Sequence, residues 1–205
     1  YLKQSLLQTS DEVVIDPTTI TPTPTATPTP VETKFAVVSD THNCSSCLEK
    51  IIKRAKDDGM EIIISAGDLT TSGTAGELKA AKKVFDNSGM RYAVTPGNHD
   101  GYKNLFYNVF TEQGFQSFKI NGNKFILIDD SSYRSLNYGS KAADQKSWIV
   151  SELAECKTIT CIVVMHRPIN HPTSDHIIGE ENSNSAAEAK WLLKLLVDNK
   201  IKEIE

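Results

Sequence analysis

Short unbroken apolar runs alternate along this chain with stretches in which apolar residues recur every three or four positions. Phe35–Val38 is the first run, and its continuity predicts a strand buried on both faces. A helix is predicted from about Cys47 to Asp58, because Leu48, Ile51, Ile52 and Ala55 share one helical face and Gly59 follows. Ile62–Ile64 predicts a second buried strand. Ala75–Asn87 predicts a second helix, with Leu78, Ala81, Val84 and Phe85 inward and Gly89 closing it. Tyr92–Val94 predicts a third strand. This order predicts parallel strands joined by right-handed crossovers.

Beyond the third strand the pattern changes. Residues 104–110 predict a short helix. Gln116–Ile120 and Lys124–Ile128 flank Asn121-Gly122-Asn123, a hairpin signal, so a mixed sheet or two sheets are expected. A polar loop at 131–141 precedes a helix at about Ala143–Glu155, with Trp148, Ile149, Leu153 and Ala154 toward the core. Cys161–Met165 predicts another buried strand. Residues 167–185 form a long loop, of the kind that is often functional. A last helix, about Ala186–Asn199, buries Trp191, Leu192, Leu195 and Leu196. Lys200–Glu205 reads as a strand just beginning, so the chain is expected to stop inside its domain.

Residues 1–33 fit none of this. Thr21–Pro30 is a Thr-Pro repeat, and proline removes backbone donors and favours an extended spacer. Val13–Ile15 is too short to belong to the main fold. The expected organisation is a disordered tail and Thr/Pro-rich linker at 1–33, then one domain over 34–205. Such stalks are typical of secreted or surface-tethered proteins, which favours an exported protein over one with a disordered cytoplasmic tail. The first residue is Tyr1, which leaves room for a removed leader or anchor upstream.

Charge narrows the partners. The net charge is −4, and residues 1–33, with one Lys and four acidic residues, carry −3 of it. The remainder lacks the basic face that nucleic-acid binding usually requires. No apolar run is long enough to span a membrane.

The polar residues that follow the strands carry the candidate chemistry. Ser39-Asp40-Thr41-His42 follows the first strand, Ala66-Gly67-Asp68 the second and Pro96-Gly97-Asn98-His99-Asp100 the third. Asp129-Asp130 ends Lys124–Ile128, and His166 ends Cys161–Met165. In open α/β sheets ligands bind at the carboxyl ends of strands, so most of these groups should cluster at one edge, giving Asp40, His42, Asp68, Asn98, His99 and His166. Taken singly, Asp40 and Asp68 could cap helices, His42 and His166 could be hydrogen-bonded loop residues, and Asn98 could serve a turn. Taken together, half-buried carboxylates repel unless a cation or proton lies between them. A metal centre accounts for all of them at once, and mixed Asp, His and Asn donors suit Mn, Fe or Zn.

The succession Asp40-x-His42, Gly67-Asp68, Gly97-Asn98-His99-Asp100 and His166 resembles the calcineurin-like metallophosphoesterase family over residues 34–205. It is most similar to the bacterial branch that includes class III cyclic-nucleotide phosphodiesterases. The resemblance implies a four-layer α/β/β/α sandwich with mixed sheets and a two-metal site. It implies that Asp40 and His42 bind the first metal, that Asp68 bridges both, and that Asn98 and His166 bind the second. His99 would reach the phosphate or the leaving-group oxygen, with Asp100 holding and polarising it. The implied activity is hydrolysis of small phosphate esters, mono- or diesters, by a metal-bridged hydroxide. Thr71 stands where purple acid phosphatases carry a tyrosine ligand, which argues against a purple iron site. The family's closing Gly-His-x-His motif is absent from these residues. As it stands, each metal would lack one protein ligand, which leaves this stretch open to being inactive or poorly folded.

Other residues take plainer expectations. Arg167 could bind phosphate, with a surface salt bridge the favoured reading. His171 and His176 could shape the substrate cleft, with solvated loop histidines the favoured reading, and Asp129 is expected as a loop-anchoring acceptor. Cys44–Cys47 and Cys156–Cys161 could be bridged in an exported protein, whereas all four would be free thiols in a reducing compartment. The competing function is a non-catalytic surface or binding module that keeps the fold.

Overall fold

The computed structural model describes residues 32–101, 105–111, 113–132, 136, 144–169, 171, 173–174, 176–179 and 183–201. Most of the expected linker (1–31), most of the polar loop at 131–141 and the expected strand start at 202–205 lie outside the described residues.

Two three-stranded sheets carry the fold. The first has β1 (Phe35–Val38), β2 (Ile62–Ser65) and β3 (Tyr92–Val94) side by side and parallel. Helices α1 (Ser45–Asp57) and α2 (Ala75–Ser88) are the crossovers, and a short α3 (Leu105–Val109) follows β3. The second sheet has β4 (Gln116–Ile120) antiparallel to β5 (Asn123–Leu127), which is parallel to β6 (Cys161–Val164). Between β5 and β6 comes α4 (Gln145–Ala154), and α5 (Ser183–Asp198) follows β6. The hairpin turns on Asn121 and Gly122, both at positive φ (50° and 83°), the geometry that a two-residue turn between twisted strands demands.

Local chemistry sets the helix ends. Thr74 caps α2 in a reciprocal capping box with Glu77, and Gly89 closes that helix at φ 64°. Cys44 caps α1, its sulfur accepting the Cys47 N–H, and this starts the helix at Ser45 rather than near Cys47.

Side-chain alternation divides each central strand between two cores. Ile63 of β2 packs with Leu48, Ile52, Leu78, Phe85 and Phe106 beneath the helices. Its neighbours Ile62 and Ile64 face the other way, onto Phe125 and Leu127 of β5. Ile126 and Ile128 then turn toward Ile149 and Leu153 of α4 and Leu192 of α5. Helices, sheet, sheet and helices thus form four layers with a core in each gap. This explains the unbroken apolar runs of β2 and β5, because a strand covered on both faces has no polar side. Each fully buried Ile, Leu or Phe contributes roughly 1.5–3 kcal/mol.

Two strands depart from the expectation of burial on both faces. β1 lies at the edge of its sheet, and Val37 is 52% exposed. β6 is likewise an edge strand, with Cys161, Ile162 and Val163 only partly buried. Ile51, expected inward on α1, is exposed. Before β1, Glu32 and Thr33 already bond to the hairpin, through Asn121 Nδ2 to Glu32 O at 3.2 Å and Asn123 Nδ2 to Thr33 Oγ1 at 2.9 Å. Disulfides join Cys44 to Cys47 and Cys156 to Cys161. Among the described residues, no helix is long and apolar enough to cross a membrane.

Candidate metal centre

The parallel pairing of β1 and β2 continues past the strand ends. Asp40 N donates to Gly67 O (3.1 Å), His42 N to Asp68 O (3.0 Å) and Asn43 N to Leu69 O (3.0 Å). Asp40, His42, Asn43 and Asp68 hold positive φ, a region that Asp, Asn and His visit more readily than most side chains. Gly67 and Gly97 lie back to back. A Cβ on Gly67 would fall on the Gly97 backbone, and one on Gly97 would fall on the Asp68 side chain. The loops after β2 and β3 can therefore touch only because both positions lack side chains.

This geometry gathers the expected ligands. Asp40, Asp68 and His166 each place a ligand atom within 4.8 Å of the others. His42 Nε2 lies 3.6 Å from Asp40 Oδ1 and 3.8 Å from Asp68 Oδ2. His166 Nε2 lies 3.4 Å from Asp68 Oδ2 and 3.0 Å from Asn98 Oδ1. The other oxygen of Asp68 accepts the His99 N–H at 2.9 Å. These residues line a cleft of about 420 Å³ together with His99, Arg167, Pro168, Ser174 and His176.

Three imidazoles are oriented in the same way. Nδ1 bonds a backbone carbonyl in each: His42 to Thr70 O at 3.1 Å, His99 to Thr71 O at 2.8 Å and His166 to Ala66 O at 2.9 Å. A carbonyl can only accept, so Nδ1 carries the proton and Nε2 is the nitrogen left for a ligand. Metal-binding histidines are commonly oriented by such a bond. The His99 ring meets His42 edge to face, with centroids 4.9 Å apart, and His99 is exposed.

Electrostatics tie Asp68 to His166. Burial alone would lower the His166 pKa, but the hydrogen bond and charge of Asp68 outweigh it and raise it to about 9. Burial alone would raise the Asp68 pKa, but the bonds from His166 and from the His99 amide hold it below the ordinary carboxylate range. In the metal-free protein a proton therefore occupies the space between them. A divalent cation would answer the same need, since two carboxylates, two imidazole Nε2 atoms and an amide oxygen converge on the cleft. The donor set fits a hard or borderline divalent ion.

Asp100 is placed differently from the expectation. Its carboxylate does not touch the His99 ring. It accepts from Leu69 N (3.1 Å), Thr70 N (2.9 Å), Thr70 Oγ1 (2.7 Å) and Gly97 N (3.1 Å), fully buried. Burial raises its pKa while these donors favour the charged form. Asp100 fastens the loops after β2 and β3 to each other, and the Thr71 carbonyl holds His99. Arg167 is not a surface residue either. It is 3% exposed and donates to Asp130 O and Ser132 O, with Nε 3.5 Å from Asp130 Oδ2.

Asp130, noted in the sequence only as a strand end, has a role that sequence reasoning did not assign. Its carboxylate accepts the His166 N–H at 2.9 Å and the Arg167 N–H at 2.7 Å, which fixes the backbone that presents His166. The one signal for it was its place at the end of a buried run. Asp129 accepts from Tyr107 Oη and from Ser131, as expected of a loop anchor. His171 is exposed, and its Nδ1 accepts from Thr173 N and Ser174 N. His176 stands at the cleft wall, the less favoured of the two expectations for it.

A family model described as calcineurin-like phosphoesterase matches residues 33–202. Among curated proteins, the chain is 28% identical over 114 residues to a probable glycerophosphodiester phosphodiesterase of Arcobacter nitrofigilis, covering 53% of this chain and 42% of that protein. It is 25% identical over 138 residues to a probable cyclic nucleotide phosphodiesterase of Vesicomyosocius okutanii, covering 67% of this chain and 57% of that protein. The chain thus spans about half the length of the curated relatives it matches. Among solved structures, a dimetal phosphatase from Danio rerio superposes with a TM-score of 0.55 at 10% identity, covering 82% of this chain and 78% of that one. At that identity the likeness speaks for the fold.

Proposed function

The chain belongs to the calcineurin-like phosphoesterase family, and on that premise we propose that it hydrolyses small phosphate esters with two divalent ions. Asp40 and His42 would hold one ion, Asn98 and His166 the other, and Asp68 would be shared. When bound, such ions supply a water acidic enough to ionise near neutral pH, and positive charge for the phosphoryl oxygens. The observation that carries this reading is the common orientation of His42 and His166. Both fix Nδ1 on a backbone carbonyl and turn Nε2 to Asp68.

The chain's own residues supply the rest. His99 stands exposed beside His42, with Nδ1 tied to Thr71, so its Nε2 is free to meet a phosphoryl or leaving-group oxygen. Asp100 positions the loops that present Asp68 and His99. Diesters come first as substrates, because the Arcobacter and Vesicomyosocius relatives are both described as phosphodiesterases. The paired cysteines and the Thr-Pro stretch support an exported location.

Turnover of bis- and mono-nitrophenyl phosphate with Mn, Fe or Zn tests the reading, with the diester expected to react faster. His99→Ala should lower turnover by roughly a hundredfold or more while leaving metal content unchanged. A collapse of metal content instead would make His99 a ligand or a structural prop rather than the group that meets the phosphoryl oxygens. No turnover of either ester with any of the metals would return the chain to the binding-module reading.

A further inference from the structure

The two disulfides sit in unlike surroundings. Cys156–Cys161 ties the end of α4 to the start of β6, with Cys156 buried. Cys44–Cys47 lies at the surface, with Cys47 exposed and Cys44 half-buried beside a cavity of about 340 Å³ that Thr41, Asn43 and Leu69 also line. Exposed disulfides are the ones that exchange readily with outside thiols, whereas buried ones resist.

Position makes the exposed pair consequential. Cys44 ends the run Asp40–Asn43, in which Asp40, His42 and Asn43 hold positive φ. Its own N–H turns back to Thr41 O at 2.8 Å, and its sulfur caps α1 by accepting Cys47 N–H at 3.3 Å. From Asp40 to Asn43 the run is pinned by backbone bonds to Gly67, Asp68 and Leu69. At its downstream end Asn43 Nδ2 donates to Glu77 Oε1 and Cys44 O accepts the Leu48 N–H, and the Cys44–Cys47 link adds a covalent closure over the first turn of α1.

We propose that Cys44–Cys47 is a reversible thiol–disulfide exchange site, and that its state sets how firmly Asp40 and His42 hold their ion. The second half of this proposal rests on the metal reading above. The reductant is a thiol of low molecular mass. Its thiolate attacks the exposed Cys47 Sγ, a mixed disulfide forms there, and the S–S bond breaks with Cys44 Sγ leaving as thiolate. A second reductant thiolate then attacks the reductant's sulfur in the mixed disulfide. Cys47 is released, the two protein sulfurs take up protons, and one molecule of oxidised reductant departs. Two electrons move from the reductant to the cysteine pair. Opening the link removes that closure and loosens the downstream end of the ligand run, whose hydrogen bonds remain, without touching a ligand.

The test is run on the intact chain. Native protein is held in reducing glutathione buffer and alkylated, and the adducts are mapped by mass. Cys44 and Cys47 should label at least about tenfold faster than Cys156 and Cys161. Equal rates, or earlier labelling of Cys156 and Cys161, would overturn the exchange site. Mn binding is then titrated to the oxidised chain, to the same chain after reduction and desalting, and to Cys44→Ser/Cys47→Ser. Serine at 44 keeps a capping oxygen, so the variant removes the link and spares the cap. Reduced wild type gives the same comparison should the variant fold poorly. Both should bind Mn roughly tenfold more weakly, and a Cys156→Ser/Cys161→Ser control should not. Unchanged affinity on reduction overturns the coupling. No Mn binding by the oxidised chain overturns the metal reading and the coupling together, while the alkylation pattern still decides the exchange site.

Discussion

The two sheets serve the candidate centre in opposite styles. The loops of the first sheet bring Asp40, His42, Asp68 and Asn98 together, and many small fastenings hold them: the continued β1–β2 ladder, the Gly67–Gly97 contact and four donors on Asp100. Among the described residues, the second sheet offers His166 as its single candidate ligand. The backbone behind that ring depends on one buried pair, Asp130 with Arg167. Distributed fastening should tolerate the loss of one part, whereas a single fastening should not.

The sharpest way to break that contrast is Asp130→Ala. It leaves the His166 and Arg167 N–H groups without their acceptor and removes the carboxylate charge facing the buried Arg167 guanidinium, which keeps its bonds to Asp130 O and Ser132 O, so stability should fall by about 3–5 kcal/mol, read from urea unfolding midpoints. Asp100→Ala should cost less, about 2–3 kcal/mol, because its donors are backbone and hydroxyl groups rather than a charge. If the Asp100 variant loses more, the first sheet has a single fastening too. Gly97→Ala probes the contact between loops, and overlap with Asp68 should cost about 1–3 kcal/mol and weaken Mn uptake. Normal metal uptake by that variant would show that the loops can part without harm.

The smallest effect is one of pH. In the metal-free protein His166 titrates near 9, against 6.5 for a free imidazole. A raised folded-state pKa stabilises fully below the unfolded value and is lost as pH climbs through the folded one. Metal-free protein should therefore lose stability between about pH 6.5 and 9, and Asp68→Asn should flatten that slope. Mn must displace the proton, so its uptake should release acid and strengthen over the same window. A metal-free midpoint that rises with pH would contradict the Asp68–His166 pairing.

Much of this was legible in the chain. Apolar runs locate β2 and β5 because both are covered on two faces. The Asp, His and Asn residues that the structure gathers all stand just after such runs. Val37 and Ile162 were not legible as half-exposed, because an edge strand and a central strand share a composition and differ only in neighbours. Carboxylates were harder still. Asp68 faces the cleft while Asp100 and Asp130 face backbone, and nothing in an Asp codon says which. Arg167 read as a surface residue because its partner lies 37 positions earlier. The carbonyls of Ala66, Thr70 and Thr71, which aim the imidazoles, carry no residue-type signal at all.

The bond from His166 Nδ1 to Ala66 O joins residues 100 positions apart and crosses from one sheet to the other. Contacts that close so long a loop form late, after the local crossovers are in place. The ring is therefore aimed only once the two sheets have docked. A chain refolding in the presence of Mn should gain helix signal before it takes up the ion, and stopped-flow traces of the two would measure the delay. Uptake of the ion would then time the docking of the sheets, which secondary-structure signals do not report.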